Sequence, residues 1–182
     1  MEVTTRELWT LIHGMGFGAI FLLAFAGGLA GLYSFKPEWV TVSGINERAR
    51  RLQIGMWVLA AVVWLTVITG TWVVYPWYRA APPAGIDTKV AAQLVNYPRY
   101  FLLASKTTAE WHTFGMEWKE HVAWLAPIAA TVVAFVTSHY GATLSKHPQI
   151  RRAAAIFFIV AFVAAAAAGA FGAFITKAAP LH

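Results

Sequence analysis

AAAIFFIVAFVAAAAAGAFGAFIT, Ala153 to Thr176, runs for 24 residues without a charged side chain. A bilayer core of about 30 Å is crossed by roughly 20 apolar residues of helix, so this stretch reads as a membrane span. The rest of the chain has the same character. It is 182 residues long, 59% hydrophobic and only 12% charged, where a soluble domain carries about 25% charged residues. Its mean hydropathy is +0.58. The expected fold class is therefore all-α, a polytopic four-helix membrane bundle in one domain. Spans are expected at about residues 8–35, 52–75, 118–144 and 153–176, with a long loop over 76–107.

Several function classes drop out. The chain has no cysteine, so thiolate zinc sites, iron–sulfur clusters and c-type haem attachment within it are excluded. The net charge of +6 sits in loops and reads as topology rather than nucleic-acid binding. MEVTTRE is not the basic start of a signal peptide, and the apolar run after it is longer than a signal core, so no cleavage is expected. No nucleophile elbow, phosphate-binding glycine loop or HExxH zinc motif is present.

Basic residues set the expected orientation. Lys36, Arg48, Arg50 and Arg51 fall in the first short loop, and Lys146, Arg151 and Arg152 in the second. Both loops are placed on the cytoplasmic side, with both termini and the long loop outside. Aromatic residues such as Trp72, Tyr75, Trp77, Tyr78, Trp111 and Trp118 then collect at the outer headgroup layer. A short interfacial helix is expected over Leu94–Leu103.

EWHTFGMEWKEHVAWLAP, Glu110 to Pro127, concentrates titratable groups at the start of the third span. Thr107-x-x-Glu110 matches a capping box, and Pro127 is expected to kink the helix and free the Ala123 carbonyl. At 100° per residue, Glu110, Glu117, His121, Leu125, Ile128, Val132, Phe135 and His139 form one stripe, which is expected to face inward. His112 lies on the opposite face. Gly14-xxx-Gly18 and Gly27-xxx-Gly31 in the first span, with Gly169 and Gly172 in the fourth, suit close helix packing.

His13 lies about a turn inside the first span, and an ionisable residue there is a functional candidate. Set against it is a plain structural role, a neutral ring bonded to a neighbouring helix. Depth pairs His13 with His121, and Gly14, Gly70 and Gly172 fall in the same layer. Two imidazoles and small wall residues are the ingredients of a bis-histidine haem site, with Arg79 and Lys119 available to the propionates. Glu117 and Glu120 would handle protons beside it. A di-metal site is the weaker use of these carboxylates, because no other span supplies one. At the opposite surface His139, Tyr140 and Arg51 form an interfacial polar cluster or contact a quinone headgroup. His182, at the chain's end, carries no reading.

With four spans and histidines in the first and third, the chain resembles, at class level, the small b-type cytochrome subunits of respiratory complexes. That resemblance implies haem b near the outer face, passing electrons between a quinone pool and an extracytoplasmic redox partner. It implies His13 and His121 as axial iron ligands, with His112 in reserve. It also implies a bacterial cytoplasmic (inner) membrane and neighbouring membrane subunits, the chain being an electron-transfer or accessory subunit rather than a catalyst alone. The competing expectation is a non-redox structural or assembly subunit that docks a partner through Glu110–Trp124.

Overall fold

The computed structural model describes residues 3–39, 41 and 44–179; His182 lies outside them. The described residues are helical, without strands, as the composition predicts. Four helices are long and apolar enough to cross a membrane: α1 Thr5–Tyr33, α2 Ile45–Tyr78, α3 Trp111–Lys146 and α4 Pro148–Ala178. Neighbours run antiparallel. His13 near the start of α1 meets Thr66 late in α2. Trp64 and Trp57 of α2 bond Thr131 and Ser138 of α3. Gly115 early in α3 faces Phe171 late in α4. One end of the bundle thus carries the long loop, and the other the two short ones.

Local chemistry sets the helix ends. A capping box opens α1: the Thr4 hydroxyl accepts the Glu7 N–H, and the Glu7 carboxylate accepts the Thr4 N–H at 2.8 Å. The box expected at Thr107–Glu110 does not form. Thr107 pairs with the Ser105 hydroxyl at 2.8 Å instead, and α3 begins at Trp111 with no side-chain cap. In the long loop Pro98 starts a short helix, Pro98–Leu103, rather than breaking one, because its fixed φ suits the first helical turn.

Proline also divides α3. Pro127 has no N–H for the Ala123 carbonyl, and the α-helix is interrupted at Ala123 and Trp124. The carbonyl is not left free, however: the Ala126 N–H takes it at 3.1 Å.

Three of the four helices contain a π-helical segment: Ile12–Gly18 in α1, Gly70–Val74 in α2 and Trp111–Met116 in α3. All three lie toward the long-loop end. Such wide turns are rare and frequently occur at functional sites.

The core is built from small residues and a few large rings. α3 turns Ala126, Ala129, Ala130, Val133 and Ala134 inward. Phe158 of α4 is fully buried, edge-on to Phe21, and fills the space beside Gly28. The stripe expected to face inward lies on the exposed side. Leu125, Ile128, Val132 and Phe135 are 38–64% exposed, and Glu110, Glu117, His121 and His139 are exposed with them. The reason is the environment. Against lipid, large apolar side chains need no burial, while close helix approach selects small ones for the interior.

The glycine pairs divide. Gly18 and Gly31 pack against α2, a Cβ there standing 3.8 Å from Thr66 and 3.1 Å from Leu52, whereas Gly14 and Gly27 face open space and Gly28, outside both pairs, meets Phe158 most closely.

Candidate functional site at the long-loop end

His13 is held by α2. Its Nδ1 lies 2.8 Å from the Thr66 carbonyl and 3.3 Å from the Thr69 hydroxyl. A carbonyl only accepts, so Nδ1 carries the proton and donates it. In the neutral ring the lone pair is then on Nε2. Thr69 in turn donates to the Leu65 carbonyl at 2.7 Å and is buried. Gly70 lets the ring approach this closely: a Cβ there would stand 2.6 Å from His13 Cε1. The space at Gly70 is thus taken by His13 itself and not held open for a flat cofactor.

Gly172 has a similar role. A Cβ there would lie 2.7 Å from Lys119 Nζ. Lys119, whose charge acts on His13, is the α3 residue directed into this layer. Its ammonium makes no hydrogen bond or ion pair with the described residues. Gly14, the third glycine expected here, is exposed.

His121 is not brought to His13. Its side chain is 74% exposed, its Nδ1 bonds the Glu117 carbonyl one turn back at 2.8 Å, and the Glu117 carboxylate is 3.9 Å away. It is two positions from Lys119, about 200° around a helix, so the two point to opposite sides. His112 is the buried histidine of α3. Its Nδ1 lies 2.9 Å from the hydroxyl of Tyr78, which itself belongs to an apolar cluster with Leu102, Met116 and Ile175. The π-helical turns Trp111–Met116 change the phase of this segment relative to an ideal helix, and the 100° rule does not carry across them.

Around His112 and Tyr78 lies a polar group that the sequence reading passed over. The Tyr75 and Tyr78 rings stack with centroids 6.1 Å apart. Arg99, from the short loop helix, and Glu120 of α3 act electrostatically on Tyr75, Tyr78 and His112 alike. Arg79, expected to serve propionates, is exposed and lies over the Tyr75 ring at 5.3 Å. Arg99 is the arginine that turns inward. Its position depends on Leu102, buried one turn along the same helix, and no periodicity of the spans reveals that.

At the short-loop end the expected cluster separates. Arg51 pairs with Glu47 at 2.7 Å on the surface. His139 stacks on Phe135 and lies edge-on to Tyr140, which meets His147 at 5.3 Å. Among the described residues no three His, Asp or Glu side chains form a metal-binding group.

No family model, curated protein or solved structure matches this chain. Its chemistry is therefore read from its own residues. The long-loop end holds an imidazole with a free Nε2, a buried histidine–tyrosine pair and inward-turned basic side chains.

Proposed function

We propose that the chain is a membrane electron-transfer subunit that binds haem b at the long-loop end, with His13 Nε2 as an axial ligand. The observation that carries this reading is the His13 Nδ1–H donated to the Thr66 carbonyl. A ligating histidine typically donates its other ring N–H in this way, which fixes the tautomer and raises the basicity of the ligating nitrogen. His112, buried and with Nδ1 engaged by Tyr78, is better placed inside the bundle than the exposed His121 to be the second ligand. The donor chemistry fits a haem. The glycine layer adds nothing to that fit, since His13 and Lys119 fill the space beside Gly70 and Gly172.

Bound there, haem supplies a one-electron carrier. The chain's own residues orient the imidazole through Thr66 and Thr69, offer Lys119 and Arg99 as counter-charges, and keep Glu117 and Glu120 at the same end for protons. The density of lysine and arginine in the two short loops supports a cytoplasmic short-loop side. Both termini and the long loop then face outward, in a bacterial cytoplasmic membrane. There the carrier would link a quinone pool to an extracytoplasmic redox partner, beside other membrane subunits.

A second reading is favoured by one observation: the His13 ring is already packed on Gly70 and hydrogen-bonded. On that reading His13 pins α1 to α2 in a non-redox structural subunit, and the charged shoulder at Glu110–Trp124 docks a partner. A reduced-minus-oxidised visible spectrum of the purified chain separates the two. The haem reading expects a b-type α-band that is lost in His13→Ala and His112→Ala and kept in His121→Ala. A colourless, pure, folded chain would end it.

A further inference from the structure

We propose that the long-loop end encloses a water-filled polar chamber between Arg99, Glu120, Tyr75 and Tyr78, whose ligands are ordered waters bridging the arginine and the carboxylate. The inference does not depend on a bound haem.

Two fully buried polar atoms at this end have no hydrogen-bond partner: Arg99 Nε, a donor, and Glu120 Oε1, an acceptor. Leaving such groups unmet costs about 1–3 kcal/mol each, and more when they are charged. Arg99 and Glu120 act on the same three residues, Tyr75, Tyr78 and His112. No ion pair within 4 Å joins them, although they are opposite in charge and share one cluster. The Glu120 carboxylate is within side-chain hydrogen-bonding reach of the Tyr75 hydroxyl, yet its Oε1 remains unpartnered. Donor and acceptor are thus close enough to influence one set of rings, yet separated.

The backbone holds them apart. Arg99 is fixed by the short helix Pro98–Leu103, anchored through buried Pro98 and Leu102. Glu120 is fixed in α3 between the π-helical turns and the interruption at Ala123. A buried water needs two to four polar partners and typically makes about three hydrogen bonds. Arg99 Nε, Glu120 Oε1 and the Tyr75 hydroxyl supply a donor, an acceptor and a group that is both.

Hydroxyl-radical footprinting by X-ray radiolysis, with the full chain in lipid nanodiscs, tests the chamber, because radicals form on ordered internal water. Met116 and Tyr78 belong to the buried cluster at this end, and Met56 and Phe158, buried more deeply in mid-bundle, serve as internal controls. The expected result is oxidation of Met116 and Tyr78 several-fold faster than of Met56 and Phe158. That excess should disappear in Glu120→Leu and persist in Glu120→Gln, which keeps an acceptor. Wild-type rates at Met116 and Tyr78 no higher than at Met56 would overturn the proposal by showing a dry cluster. Fast labelling that survives Glu120→Leu would also overturn it, since access would then come from bulk solvent and not from waters held by the carboxylate.

Discussion

The His13 ring occupies the place that a side chain at Gly70 would need, 2.6 Å from His13 Cε1 and 3.2 Å from each ring nitrogen. Two π-helical segments meet there, one carrying the histidine and the other beginning with the glycine. Any substituent at Gly70 must push the imidazole off the Thr66 carbonyl. Gly70→Ala is therefore expected to destabilise the chain by about 1–3 kcal/mol, the usual cost of overpacking. Gly27→Ala, with nothing within 4 Å, should be close to neutral. Thermal unfolding in detergent compares the two. A neutral Gly70→Ala would show that the ring has room to move.

Gly28→Ala tests the core in the same way. Its Cβ would stand 2.7 Å from Phe158 Cε1 and 3.3 Å from Leu59 Cδ1. Phe158 is wholly buried among α1, α2 and α4 and cannot retreat, so a loss of about 1–3 kcal/mol is expected. Gly28→Ala with Phe158→Leu should recover part of it, as read by the unfolding midpoints of the single and double variants.

The Trp64 indole N–H donates to the Thr131 hydroxyl at 2.9 Å and joins α2 to α3. Interhelical hydrogen bonds in lipid average about 0.6 kcal/mol and reach about 1.7. A double-mutant cycle of Trp64→Phe and Thr131→Val should give a coupling in that range. Zero coupling would mean that the pair contributes packing alone.

Tyr78→Phe removes the hydroxyl from His112 Nδ1 while keeping the ring in its apolar shell. Loss of a buried partner costs about 1–3 kcal/mol. Stability is expected to fall by that amount, and the fall should largely vanish when His112 is already Leu. Equal losses in both backgrounds would place the effect in the ring and not in the hydrogen bond.

Length and hydropathy, which are local sums, already determined the four apolar helices and the placing of His13 and Gly70 at one depth. A 24-residue uncharged run has few other ways to fold, since in lipid each backbone polar group must be satisfied within its own helix. Which face of α3 turns inward was a tertiary matter. Both faces are apolar: Leu125, Ile128, Val132 and Phe135 on one, Ala126, Ala129, Ala130 and Val133 on the other. Periodicity has no contrast there to read, and packing chose the small side chains. That choice carried His121 outward and left Lys119 and His112 within. The π-helical turns and the inward reach of Arg99 depend on contacts between segments far apart in the chain, whereas the capping box at Thr4 is local, joining residues three apart. The glycines were visible at the right depth, but only the assembled bundle showed that a histidine and a lysine fill the space beside them.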